Sequence, residues 1–211
     1  MATGPKVLTA KLSATDLTLI RGERCLFTGL GFALEAGELL LLEGQNGSGK
    51  TSLLRAMVGM LELETGEIFW NGEPIRRARQ AYFQSVVWMA HRVGLKADLT
   101  LVENLQFESA LRPVANTDFN AVLERLGIDR LKKLAIRSLS AGQQRRVALA
   151  RVLLSDAKLW LMDEPFTNLD RDGRQLVAEI VAQHLASGGM CVMAAHQDVA
   201  IDAPTQRLVL E

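Results

Sequence analysis

The chain has 211 residues, enough for one large domain or two small ones with a sizeable buried core. Its 24 Lys and Arg balance 24 Asp and Glu, which removes the long-range attraction that polyanion-coating proteins rely on, so no nucleic-acid partner is expected. With 48% apolar and 23% charged residues it has an ordinary globular composition, and its longest aliphatic run, Leu39 to Leu42, falls far short of the ~20 residues a bilayer span needs.

Met1 to Lys6 lacks a basic segment followed by an apolar stretch, so no export signal is expected. Leu12 to Ile20 and Leu26 to Leu34 read as strands joined by a turn at Arg21 to Arg24. Leu39 to Leu42 reads as a strand buried on both faces of a parallel sheet. Helical spacing continues the chain over Thr51 to Leu61, then a strand entering a hairpin turn over Gly66 to Gly72, and a short apolar strand at Val86 to Ala90. From Leu99 to Leu154 the apolar spacing is helical. Leu159 to Met162 is a second buried strand, Arg174 to Leu185 a helix and Met190 to Ala195 another strand. Strands alternating with helices predict an α/β fold with a helical insertion between about Arg92 and Ala157.

Gly44-Gln45-Asn46-Gly47-Ser48-Gly49-Lys50-Thr51, followed by Ser52, fits G-x-x-x-x-G-K-[ST] after a buried strand and at the start of a helix. Its glycines let successive N–H groups converge on phosphate oxygens, and the helix adds the positive end of its dipole. Lys50 is expected at the β- and γ-phosphates of a bound nucleotide and the Thr51 hydroxyl on Mg²⁺. The strand Leu159 to Met162 delivers Asp163 and Glu164 to its C-terminal end, where open α/β sheets bind ligands. Asp163 is expected to hold Mg²⁺, directly or through water, and Glu164 to polarise the attacking water. Ser140 of Leu139-Ser140-Ala141-Gly142-Gln143 can cap the adjoining helix.

With these elements in this order, the chain resembles an ABC-type ATPase over nearly its whole length. Leu139 to Gln143 matches the LSGGQ signature with Ala141 in place of one Gly, Asn168-Leu169-Asp170 matches the D-loop, and His196 matches the switch histidine. The resemblance implies a P-loop NTPase fold of ABC type: a RecA-like parallel sheet core with an N-terminal antiparallel β subdomain (1–91 and 158–211) and an inserted α-helical signature subdomain (about 92–157). It also implies a head-to-tail homodimer holding two ATP. The phosphate loop, Asp163, Glu164 and His196 of one subunit would face Ser140, Gly142 and Gln143 of the other.

Longer matches, among them Glu43 to Arg55, Gly66 to Pro74 and Leu139 to Arg151, are similar to the ATP-binding subunits of cytochrome c maturation transporters, the CcmA family. That likeness implies a peripheral protein on the cytoplasmic face of the bacterial inner membrane. Its partners would be the membrane subunits CcmB, CcmC and CcmD, and its hydrolysis would be linked to haem export or release of the haem-loaded chaperone CcmE. No covalent haem is expected, because no CxxCH segment exists. Two other readings stand beside it: the ATPase of a different ABC system, transporter or soluble, and an ATP-gated clamp on DNA or ribosomes. The latter is disfavoured by neutral charge and the lack of a coiled-coil insertion.

Two departures mark the chain. The family's His-Gln-Pro-Gly after the Val86–Ala90 strand reads His91-Arg92-Val93-Gly94 here, so the Gln is missing and the candidate replacement is His91 or a water, since a neutral imidazole can accept a hydrogen bond and Arg92 cannot. Where many ABC ATPases stack adenine on an aromatic residue, the position carries Arg21, which is either a guanidinium plane for the base or a solvated turn charge. Cys25 and Cys191 are expected to be reduced and mostly buried, Trp70, Trp88 and Trp160 to pack in the core, and Arg76 to Arg79 to form a solvated basic run.

Overall fold

The computed structural model describes residues 11–111, 113–195 and 200–211. The described residues begin with a long antiparallel pair, β1 (Lys11–Arg21) and β2 (Arg24–Glu35), and continue into β3 (Leu39–Glu43) and α1 (Lys50–Met57). Next come β4 (Thr65–Trp70), the two-residue β5 (Glu73–Pro74), α2 (Arg79–Ser85) and β6 (Val86–Met89). The helices α3 (Leu101–Ser109), α4 (Phe119–Arg125) and α5 (Ala141–Leu153) lead to the last stretch. It holds β7 (Leu159–Asp163), α6 (Arg171–Ala186), β8 (Met190–Ala194) and β9 (Thr205–Val209).

These strands form two sheets. An antiparallel sheet has the order β2-β1-β4-β5, and a wholly parallel sheet has the order β6-β7-β8-β3-β9. The uninterrupted apolar runs of β3, β7 and β8 follow from burial on both faces of the parallel sheet. Leu159 and Leu161 face a core shared with α1 and the antiparallel sheet, while Trp160 and Met162 face a core shared with α3, α4, α5 and α6. The α/β architecture expected from the sequence is therefore the one observed. Among the described residues no helix is long and apolar enough to cross a membrane.

Two local expectations change. The helix after the phosphate loop stops at Met57 rather than Leu61. There the Gly59 N–H turns back to the Ala56 carbonyl and the Met60 N–H to that of Arg55, with Gly59 in the left-handed conformation that terminates helices. Cys25 is exposed on β2, and only Cys191 is buried; both are free thiols. The segment after the basic run is helical: α2 buries Tyr82 edge-on against Trp70, while Arg76 and Arg79 stay exposed, the first near Glu67 and the second over the Phe83 ring.

On α6, His184 stacks on Trp160 with ring centroids 3.7 Å apart and planes within 7°. Gly189 lies so close that a Cβ there would meet the imidazole at 2.2 Å. Burial pulls the His184 pKa down to about 4, outweighing the hydrogen bonds from its ring to the backbone of Met190 and Lys158 that favour the charged form. Because the folded value lies below the unfolded one, the neutral ring stabilises the fold above pH 6.5, and that contribution is lost as pH falls towards 4. The slope is at most about 1.4 kcal/mol per pH unit. Urea midpoints measured between about pH 6.5 and 5 should therefore fall less steeply in His184→Gln than in the parent chain.

Candidate active site

The phosphate loop leaves β3 at the C-terminal edge of the parallel sheet and ends where Gly49 caps α1. Gly44, at φ 138°, is pressed against the last strand's exit: a Cβ there would meet the Leu210 carbonyl oxygen at 2.2 Å, so only glycine fits. The Ser48 N–H closes the loop on the Gln45 carbonyl at 3.1 Å. Lys50 curls back over it, its ammonium donating to the carbonyls of Gly44 at 2.6 Å and Gln45 at 3.0 Å. Burial lowers its pKa, and the nearby carboxylates of Glu164 and Asp163 act in the opposite direction.

At the second residue of α1, the Thr51 hydroxyl donates to both oxygens of Asp163, at 3.0 and 3.2 Å. Asp163 is buried at the end of β7. Glu164, the next residue, takes a left-handed backbone at φ 52°, uncommon for a residue with a side chain, and its N–H donates to the Ala194 carbonyl at 2.8 Å. Lys50, Thr51, Ser52, Asp163, Glu164 and His91 line one cleft of about 740 Å³ together with Asn46, Gly47 and Gly49 of the loop. Arg21, with Arg24 from the β1–β2 turn, forms another wall. His91 also borders an adjoining cleft with Arg92. The cleft thus combines loop amides, one ammonium, a hydroxyl–carboxylate pair and a second carboxylate, an arrangement suited to holding a polyphosphate and a hard cation.

The signature residues lie elsewhere: Ser140, Gly142 and Gln143 are not among those lining that cleft. Ser140 caps α5 in a reciprocal box, its hydroxyl accepting from the Gln143 N–H at 3.2 Å while the Gln143 side chain accepts from the Ser140 N–H at 2.9 Å. Gly142 abuts the D-loop so closely that a Cβ would meet the Asn168 carbonyl oxygen at 2.8 Å. Asp170 caps α6 through the Gly173 N–H at 2.8 Å and lies 3.6 Å from Arg146. His196 lies outside the described residues.

Sequence reasoning missed one residue, Arg145 on α5. Only 3% exposed, it uses its Nε–H toward the Pro165 carbonyl at 3.3 Å and Nη1 toward Ala90 at 3.0 Å and His91 at 3.2 Å. Its Nη2 donates to the carbonyls of Asp163, at 2.8 Å, and Glu164. Burial lowers its pKa to about 10, partly offset by Asp163 and Glu164, so the guanidinium remains charged at neutral pH. No local pattern distinguishes it from its neighbour Arg146 in the run Gln144-Arg145-Arg146.

Comparison with known proteins agrees with this geometry. The ABC transporter family model matches residues 27–167. A cytochrome c biogenesis ATP-binding export protein CcmA from Salmonella typhi is 43% identical over 196 residues, 93% of this chain and 94% of that protein. One from Vibrio parahaemolyticus is 40% identical over 201 residues, 94% and 98% of the two chains. Among solved structures, a bacterial Atm1-family ABC exporter with ATP bound superposes with a TM-score of 0.83 at 20% identity, covering 96% of this chain and 37% of that one. A nucleotide-free ATP-binding cassette from an ABC transporter gives 0.78 at 21%, covering 95% and 87%. The structures speak for the fold alone, whereas the family match and the close relatives go further: this chain belongs to the ATP-binding subunits of the ABC transporter family, and within them to the CcmA group.

Proposed function

We propose that the chain is the ATP-hydrolysing subunit that energises cytochrome c biogenesis, as the names of its relatives indicate for them. The observation that carries this reading is the Thr51–Asp163 hydrogen bond beside Lys50, which joins the phosphate loop to the carboxylate strand across 112 residues of sequence. The N–H groups of Gly44 to Lys50 cradle the phosphates of ATP, with Ser52 on the same turn of α1. Lys50 swings from the loop carbonyls to the β- and γ-phosphates. Thr51 and Asp163 suit Mg²⁺, a hard cation that takes one carboxylate, a hydroxyl, waters and substrate phosphates rather than an all-protein cage. When bound, the ion neutralises charge developing on the phosphate oxygens.

Glu164 then accepts the proton of the attacking water, and His91, at the cleft wall where the family's Gln is absent, orients that water. His196 is assigned the switch role by resemblance alone. Arg21 offers its guanidinium plane to the adenine. The position of Ser140, Gly142 and Gln143 away from their own chain's cleft supports a head-to-tail homodimer in which they close on the partner's γ-phosphate. Residues of about 92–157 would act as the signature unit on a core of 1–91 and 158–211. The complex would include CcmB, CcmC and CcmD and place the chain peripherally on the cytoplasmic face of the inner membrane.

In this reading Glu164→Gln binds ATP but turns over about 10²-fold more slowly or worse. It should run as an ATP-dependent dimer by sedimentation, and adding Ser140→Arg should abolish that dimer. Normal hydrolysis by Glu164→Gln removes it from the base role. Lys50→Ala should weaken ATP binding by roughly tenfold to a hundredfold in a fluorescent-nucleotide titration. His91→Ala should slow turnover of the assembled complex by roughly tenfold with ATP affinity unchanged; turnover equal to the parent's would assign the water to another group.

A further inference from the structure

The last β6–β7 pair is Met89 with Met162. Past it the ends of β6 and β7 lead to His91 on one side and Glu164 on the other. These are the two residues proposed to handle the attacking water, and the role of Arg145 rests on that assignment. The guanidinium of Arg145 fills the gap between them. All five of its N–H donors are used, and every one goes to a backbone carbonyl: Ala90, His91, Asp163, Glu164 and Pro165. None goes to a carboxylate. The group is therefore set to read backbone position rather than to neutralise charge. Glu164 is held from both ends, its carbonyl by Arg145 and its N–H by Ala194, which explains how a residue with a side chain persists at φ 52°.

Arg145 also sits in the second turn of the helix that Ser140 caps, and the start of that helix is seated on the D-loop at Gly142 and Arg146. We propose that Arg145 is a positioning residue for hydrolysis. It clamps the backbone carrying Glu164 and His91 to the signature helix, so that any displacement at the Ser140 end reaches the water-activating carboxylate of the same chain. A lysine cannot replace it, because a single ammonium cannot span carbonyls on both strand ends in one plane.

The test is steady-state ATP turnover of the assembled complex bearing Arg145→Lys or Arg145→Gln, with ATP affinity and melting temperature measured on the same variants. The expected result is a turnover at least roughly tenfold lower with KM for ATP within about threefold of the parent. In single-turnover assays, Arg145→Lys should add no further loss to Glu164→Gln, since the two act through one group. Turnover within about twofold of the parent in Arg145→Lys overturns the proposal. So does a KM that rises in step with the fall in kcat, a loss that adds to that of Glu164→Gln, or unfolding of both variants, any of which would make the residue a stability element. Normal hydrolysis by Glu164→Gln would overturn the base assignment itself, whereas an inactive Glu164→Gln beside a normal Arg145→Lys overturns the clamp alone.

Discussion

Thr51 and Asp163 belong to strand–loop units that are not even adjacent in the sheet, since β8 lies between β3 and β7. Their hydrogen bond therefore depends on a single constraint: parallel strands all end on the same side, so the segments leaving them converge on one edge. The phosphate loop leaves β3, the carboxylates end β7 and His91 lies just past β6. Parallel strands must be buried on both faces, which demands the apolar runs of β3, β7 and β8, with α3, α4, α5 and α6 on one side and α1 with the antiparallel sheet on the other. Site and core are thus one requirement expressed twice.

Positive charge in the site is arranged in two depths. Lys50 and Arg21 line the cleft, where an ammonium or guanidinium can meet a ligand. Arg145 lies beneath, spent wholly on carbonyls, and supplies shape. An arginine is suited to that buried task because its fork satisfies five acceptors at once and leaves no donor orphaned.

Much of this was legible in the residues. The apolar strands were readable because two-sided burial leaves no polar alternation, and Ser140 was readable as a cap because capping is a local affair between the cap and the first turn. The hairpin at Asn71-Gly72 was equally plain, both residues adopting positive φ. Other parts were opaque for physical reasons. β9 is an edge strand whose exposed Thr205, Gln206 and Arg207 carry no pattern, and its place is set by backbone pairing with β3. α2 buries only Tyr82, too little for a periodic stripe. The early end of α1 could have been read from Gly59, a helix-stopping signal outweighed by the apolar residues Met60 and Leu61 beyond it. Arg145 could not be read at all, since its burial exists only once the ends of β6 and β7 are side by side.

The neighbours of β3 impose an order on synthesis. Both strands that flank it, β8 and β9, lie in residues 190–209, so the strand that launches the phosphate loop stays unpaired for about 150 residues of further synthesis. The β1–β2 hairpin can close early from local contacts, but the sheet edge on which Gly44 rests is finished only by Leu210. Until then Leu39 to Leu42 presents a bare apolar edge, the kind of surface that nascent-chain chaperones shield, and nucleotide cannot assist folding before residues 190–210 have been made.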